Sequence, residues 1–259
     1  MRYYKGYIAL SDACDVPVLL HIRNARAICL DQLCELLALD GIAPPSRSFR
    51  WRIARLEAAG LIARADAHRH FGKPVYGITP PGLVSLESRG HYLTSLPSTT
   101  DQILHASQIP HALELVNIRI ALAKGGILRS WKCDLEITSR NLMLEGLVAK
   151  DYDAIAEIDI DGTSRNFAIE YERNPKASAR YRAIREVLDK DETTDTVLYL
   201  TANDDILYLL AVEMRSSRKR IGFALSASFR RSLLETRTLL NTAASEIVPF
   251  RYLFATSGF

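Results

Sequence analysis

Residues 152–173, YDAIAEIDIDGTSRNFAIEYER, constrain the fold more than any other stretch of the chain. Apolar and polar residues alternate through YDAIAEIDI and again through RNFAIEYER, the period-two pattern of half-buried strands. "DGTS" joins the two runs, and Asp-Gly is the strongest short-range hairpin signal available. In the second strand Phe167, Ile169 and Tyr171 share one face, while Ala168, Glu170 and Glu172 share the other.

The flanking segments extend this hairpin into an α/β unit. Upstream, HALELVNIRIALAKGG reads as a buried helix from His111, stopped by Gly125 and Gly126. SWKCDLEIT, with Trp131 at its start, alternates loosely like a strand, and SRNLMLEGLVAK gives no clear pattern. Downstream, NPKASARYRAIREVLDKD predicts a helix, TVLYLTAN a buried strand and DILYLLAVEMRSSRKR a helix. IGFALSAS predicts a strand and FRRSLLETRTLL a last helix.

The order of helix, three strands, helix and strand resembles the core of the PD-(D/E)XK nuclease superfamily. Asp153 and Glu170 stand at the positions of that family's aspartate and of the glutamate of its E-x-K. Glu114 matches the additional acid some members carry on the first helix. The resemblance implies that Glu114, Asp153 and Glu170 would hold magnesium or manganese through oxygen ligands, the ion polarising a phosphate and generating hydroxide. Glu172 occupies the lysine position of the motif, so Lys176 or Arg180 would have to supply that charge. With a carboxylate there, the resemblance implies a degenerate domain over residues 111–259 that binds rather than cuts and needs no cofactor. Asp153, Glu170, Glu172 and Lys176 are its catalytic candidates if it is active.

The first third reads differently. DVPVLLHIR predicts a short helix with Asp15 as cap, LDQLCELLAL a second, and "DGIAPP" the turn that ends it. Ser46 opens a third, SRSFRWRIARLEAAGLI, with Phe49, Ile53 and Leu56 on one stripe and Arg47, Trp51 and Arg55 opposite, flanked by Arg50 and Arg52. Gly60 ends it. LIARADAHRHFGKPVYGITPPG then predicts a hairpin whose tip carries His68, Arg69, His70, Gly72 and Lys73. Three helices, the last one basic, followed by a basic hairpin resemble a winged helix-turn-helix domain, here residues 1–92. Arginines on an exposed helix can read guanine O6 and N7 in the major groove, and a cationic hairpin can lie on phosphate. Arg47, Ser48, Arg50, Trp51, Arg52 and Arg55 are the candidate helix contacts, and Arg69, His70 and Lys73 the wing contacts.

Residues 93–110, with serines, threonines and two prolines, read as a linker. At 259 residues the chain has room for two small domains. Hydrophobic residues at 48% and a mean hydropathy of −0.01 fit packed cores rather than disorder. The formal charge of +3 says little as an average, since arginines cluster locally. Cys14, Cys29, Cys34 and Cys133 form no CxxC pair and read as reduced core residues rather than a zinc site. Neither a signal-peptide core nor a run of about 20 apolar residues is present, which predicts a soluble cytoplasmic protein.

Taken together, the two halves resemble the replication-relaxation family of plasmids and other mobile elements. "LHIRNARAICLDQLCELL", the His111-to-Asn117 spacing, Trp131, "YDAIAEI" and "FAIEYERNPKASARYRAI" carry that likeness. It implies a bacterial, nucleoid-associated, DNA-binding accessory protein of replication, mobilisation or transcription, acting on double-stranded DNA as a homodimer. Two other readings stand beside it: a metal-dependent endonuclease targeted by the winged helix, and a scaffold recruiting a relaxase or replication protein.

Overall fold

A buried carboxylate and a pair of helix ends organise the first of two compact units, Met1–Ile120 and Ala121–Phe259. The computed structural model describes residues 8–42, 46–65, 72–96, 106–144, 149–242 and 246–255, with the side chains of residues 46 and 47 also outside the description.

In the first unit the chain runs α1 (Asp15–Ala25), β1 (Ile28–Cys29), α2 (Leu30–Leu39), α3 (Ser46–Ala58), β2 (Ile62–Ala65), β3 (Val75–Ile78) and α4 (Pro80–Glu87). β3 lies between β1 and β2, antiparallel to both. Leu19, Ile22, Leu33, Leu37, Phe49, Ile53 and Leu56 are buried, so the periodic apolar positions of all three opening helices face inward. α3 stops where Gly60 takes a left-handed φ of 71° and Leu61 N–H reaches back to Leu56 O. α4 starts on Thr79, whose hydroxyl accepts the Gly82 N–H, with prolines in its first turn.

α5 (Ile109–Lys124) crosses the boundary between the units. Its first part packs on the first unit. Ile109 and Ala112 join Ala27 and Val75 in one apolar cluster, and Gln32 Nε2 donates to Leu113 O at 2.8 Å and to Asn117 Oδ1 at 2.7 Å. The Ser- and Pro-containing stretch 93–110 ends inside that helix, whose first two residues are Ile109 and Pro110.

The second unit is built on β4 (Leu128–Cys133), α6 (Asp134–Asn141), β5 (Ala154–Ile160), β6 (Thr163–Glu172), α7 (Ser178–Lys190), β7 (Thr196–Thr201), α8 (Asp204–Met214), β8 (Arg220–Leu225), α9 (Ser226–Ser232), β9 (Arg237–Leu240) and β10 (Ile247–Pro249). The sheet order is β10-β9-β8-β7-β6-β5-β4. β4, β5 and β6 form an antiparallel meander, β6, β7 and β8 are parallel, and β9 and β10 return antiparallel. Asp161 and Gly162 both have positive φ, the conformation of a tight two-residue hairpin turn, and Gly162 N–H donates to Asp159 Oδ1. One sheet face packs Ala168, Val197, Tyr199, Ile221 and Phe223 against Tyr181, Leu188, Leu210 and Met214 of α7 and α8. On the opposite face Phe167, Phe229 and Phe250 meet edge to face, with ring centroids 5.1–5.2 Å apart.

The mixed α and β character expected from the sequence holds, with local corrections. Asp15, expected as the cap of the first helix, is its first residue, and Cys14 stands at the cap position. Residues 134–138 of the SWKCDLEIT stretch are helical, because Glu136 Oε2 accepts the Cys133 N–H and Asp134 and Glu136 favour a helix start. The expected last helix closes at Ser232. Residues 233–235 make one 3₁₀ turn and Arg237–Leu240 join the sheet as β9.

Gly82 is the tightest approach in the first unit. A Cβ there would lie 2.1 Å from the Leu61 carbonyl oxygen and 2.9 Å from the Ile78 side chain. Helix propensity alone favours Gly→Ala by about 0.5–1 kcal/mol. Here the clash wins, and Gly82→Ala is expected to lower stability in urea titration by about 1–3 kcal/mol, the scale of overpacking. An unchanged or raised midpoint would show that α4 shifts away without cost.

Candidate functional site

Two regions carry the chemistry the sequence pointed to, one in each unit. In the first unit, Asp15 is fully buried and accepts from Arg52 Nη1 at 2.6 Å, Arg55 Nη2 at 2.5 Å and the Ser11 N–H at 2.7 Å. Burial alone would raise this carboxyl; the hydrogen bonds from Arg55, Ser11 and Arg52 outweigh it, and the net shift is below the usual carboxylate range. Asp15 thus bolts α3 to α1, and two of the candidate DNA-contact arginines, Arg52 and Arg55, are engaged inside the unit.

What α3 leaves outside is Ser48, Arg50 and Trp51, the last 60% exposed, with the Arg55 guanidinium 5.4 Å from its ring centroid. Between α3 and the β2–β3 hairpin lies a groove of about 410 Å³ lined by Arg50, Arg64, Lys73, Asp31 and Tyr76. Lys73 pairs with Asp31 on the surface. Arg64 makes two bonds to Glu57, at 2.9 and 3.0 Å, and stacks 5.9 Å over the Tyr76 ring, its partner in the strand register. Arg64 had escaped the sequence reading. Ile62 and Arg64 are two apart, so strict alternation would put Arg64 on the buried face of Ile62; instead Ala63 and Arg64 are both exposed, and no periodic signal announces it. Arg69 and His70 lie outside the described residues, as does the side chain of Arg47.

In the second unit the hairpin register brings Asp153 and Glu170 opposite one another, one step beyond the Ala154–Ile169 pair, and Glu170 is the register partner of Tyr199 on β7. Asp153 Oδ2 accepts the Tyr171 N–H at 2.8 Å. Lys150 supplies a cation that sequence spacing concealed: its ammonium bonds Glu170 Oε1, donates to Asp151 O at 3.2 Å and lies 4.2 Å from the Tyr152 ring centroid. The pair is largely sequestered, with side-chain exposures of 10% and 19%. Asp191, buried at the end of α7, accepts the Lys150 N–H and the Tyr152 hydroxyl and so fixes the segment carrying Lys150. Glu172 pairs with Lys176 one turn on. Among the described residues the buried Tyr199 hydroxyl has no hydrogen-bond partner, and burial together with Glu170 and Asp153 holds its proton in place.

Burial pushes the Glu170 carboxyl up to about 7; the Lys150 ammonium pulls against that, and the Asp153 carboxylate adds to the rise. Glu114, the third acid of the expected metal set, is on the part of α5 that belongs to the first unit and accepts from Asn117 Nδ2 at 3.0 Å. Among the described residues, no three His, Cys, Asp or Glu side chains come together as a metal-holding group. Lys150 bonds one oxygen of Glu170, Oε1, so the carboxylate is engaged by an ammonium of this chain. The four cysteines are free thiols, and Cys29 and Cys133 precede the first turns of α2 and α6. No described helix is long and apolar enough to cross a membrane.

No protein-family model matches this chain, and neither curated proteins nor solved structures show a match to it.

Two outcomes follow from these electrostatics. Asp15→Asn is expected to cost on the order of 3 kcal/mol at pH 7, because two guanidiniums lose their shared partner. The Asp15 contribution is complete above its unfolded value of 3.8 and fades as pH falls through the lower folded value. The thermal-midpoint difference between wild type and variant should therefore stay constant down to about pH 5 and shrink below pH 4. A gap independent of pH would refute the ionised pair.

Glu170 runs the other way: its raised carboxyl favours the folded state most below 4.5 and loses that advantage as pH climbs through about 7. Lys150→Met removes the cation that holds it down most strongly, ahead of Lys176, so the Glu170 carboxyl resonance in ¹³C NMR should titrate higher than in wild type. A titration unmoved by that change would mean that Lys150 does not govern the site.

Proposed function

We propose that the first unit is a winged helix-turn-helix module that binds duplex DNA, with α3 in the major groove and the β2–β3 hairpin as the wing. The observation that carries this reading is the groove between α3 and the hairpin, with Arg50, Arg64 and Lys73 along it. The order helix, strand, helix, helix, hairpin, with β1 paired to β3, supports the winged assignment. An α-helix fits the major groove, and an arginine on its outer face can bond guanine bidentately. Arg50 holds that position, with Trp51 beside it for apolar contact.

The second unit fits a nuclease-like α/β domain through its antiparallel meander, crossover helix and parallel fourth strand. The whole chain then acts as a regulatory or accessory DNA-binding protein, of the kind mobile elements use to control transcription, replication or mobilisation.

Electrostatics favours phosphate over the present partners of the wing. Lys73 with Asp31 and Arg64 with Glu57 are surface pairs, and solvent screening leaves such pairs little net stabilisation. A phosphate backbone releases condensed counterions when cations bind it, a gain these carboxylates cannot match. Arg52 and Arg55 serve the same end indirectly, since their bonds to Asp15 fix the angle at which α3 presents Arg50.

Selection of preferred duplexes from a random pool, followed by fluorescence anisotropy at several salt concentrations with and without magnesium, tests the reading. Arg50→Ala should cost about 1–3 kcal/mol on the selected site and relax its sequence preference. Lys73→Ala should weaken all duplexes alike and flatten the salt slope by roughly one. If the triple change of Arg50, Arg64 and Lys73 to alanine left affinity intact, DNA binding through this groove would be wrong. Magnesium-dependent cleavage lost in Glu170→Ala would move the function to the second unit.

A further inference from the structure

α8 is apolar on nearly every side. Ile206, Leu207, Leu210 and Met214 enter the core, yet Tyr208 and Val212, one turn apart on the outer stripe, are 59% and 74% exposed. A helix apolar all round is ordinarily covered all round.

The sheet beside it also carries apolar surface into solvent. Phe223 pairs with Leu239, and Leu239 with Ile247, so β8, β9 and β10 form a continuous apolar row on the face where α8 packs. A groove of about 530 Å³ opens over that row, floored by Phe223, Leu225 and Leu239 and walled by Tyr208 and by Ile247, which is 49% exposed.

The rim holds both signs of charge. Asp204, in the first turn of α8, stands on one side, and Arg231 and Arg237 stand on the other. Among the described residues none of these three is tied up in an ion pair, whereas the fourth rim charge, Glu235, is engaged by Arg251.

We propose that this face is where two copies of the chain meet about a twofold axis. Tyr208 and Val212 of each α8 lie in the other copy's groove, and the acidic start of each α8 lies against the other copy's Arg231 and Arg237. Charge complementarity selects this occupant. A twofold contact uses one patch twice and must be complementary to itself. An apolar centre flanked by unpaired acid on one side and unpaired base on the other meets that condition, and it has the apolar core and polar rim of a protein interface. Nucleic acid matches only the arginines.

The test uses the full chain without DNA, by analytical ultracentrifugation from about 1 to 100 µM. Wild type should form a dimer, and Val212→Glu should weaken it more than tenfold. The charge reversals are more discriminating. Asp204→Arg with Asp205→Arg makes both rims positive, and Arg231→Asp with Arg237→Asp makes both negative, so each double variant alone should be monomeric. Mixed in equal amounts, they should form a one-to-one heterodimer, which also shows that both are folded. A wild-type chain that stays monomeric overturns the proposal and leaves the groove to a different protein or a small ligand. Reversed variants that still dimerise alone, or that remain monomeric when mixed, overturn it as well.

Discussion

The Asp15 carboxylate is the interaction on which the first unit turns. An ionised group with no exposure to solvent is tolerable only when its lone pairs are fully met. Here two guanidiniums and a backbone N–H meet them. Both arginines come from α3, so the bond defines the rotation of that helix about its axis as well as its position. Rotation is what matters for a surface: it turns Phe49, Ile53 and Leu56 inward and Arg50 and Trp51 outward. The hairpin beyond Gly60 then completes the basic groove. A charged core contact and the side chains α3 turns to solvent are consequences of one geometry.

The second unit solves a different problem with similar parts. Its parallel strands β6, β7 and β8 are buried on both faces by helices and aromatic rings, as parallel strands generally are. Glu170 lies just past the buried Phe167, Ala168 and Ile169, where β6 becomes half-buried. Lys150, held by Asp191 through its backbone and by the Tyr152 ring through its side chain, answers the carboxylate from a neighbouring segment. The site is therefore a sequestered ion pair beside a tyrosine hydroxyl that lacks a partner among the described residues.

Much of this was legible in the sequence where the governing interaction is local. The β5–β6 hairpin follows from strict alternation and an Asp-Gly turn, and Ala168, Glu170 and Glu172 do share a face because a period of two leaves no alternative. α3 and its glycine stop were equally plain. The misreadings arose where a short-range signal competed. Loose alternation through SWKCDLEIT suggests a strand, but the Glu136 carboxylate capping Cys133 N–H makes residues 134–138 helical. The roles of Arg52, Arg55 and Lys150 were out of reach for another reason. Their partners lie 37, 40 and 20 residues away, and helical periodicity reports which side a residue faces but not what waits there. An arginine on the polar stripe of a helix looks the same whether it meets water or a buried aspartate.

The Asp161–Gly162 turn also imposes an order of events in time. A two-residue hairpin closes in about 1–10 µs, whereas β7 can join β6 only after the chain through α7 has folded back across the sheet, and long-range parallel pairing is slow. The strand bearing Glu170 therefore forms while the place of Tyr199 is still filled with water. Desolvation of the carboxylate falls on the later docking step, so its protonation state acts on the rate of closing the sheet and leaves hairpin nucleation untouched.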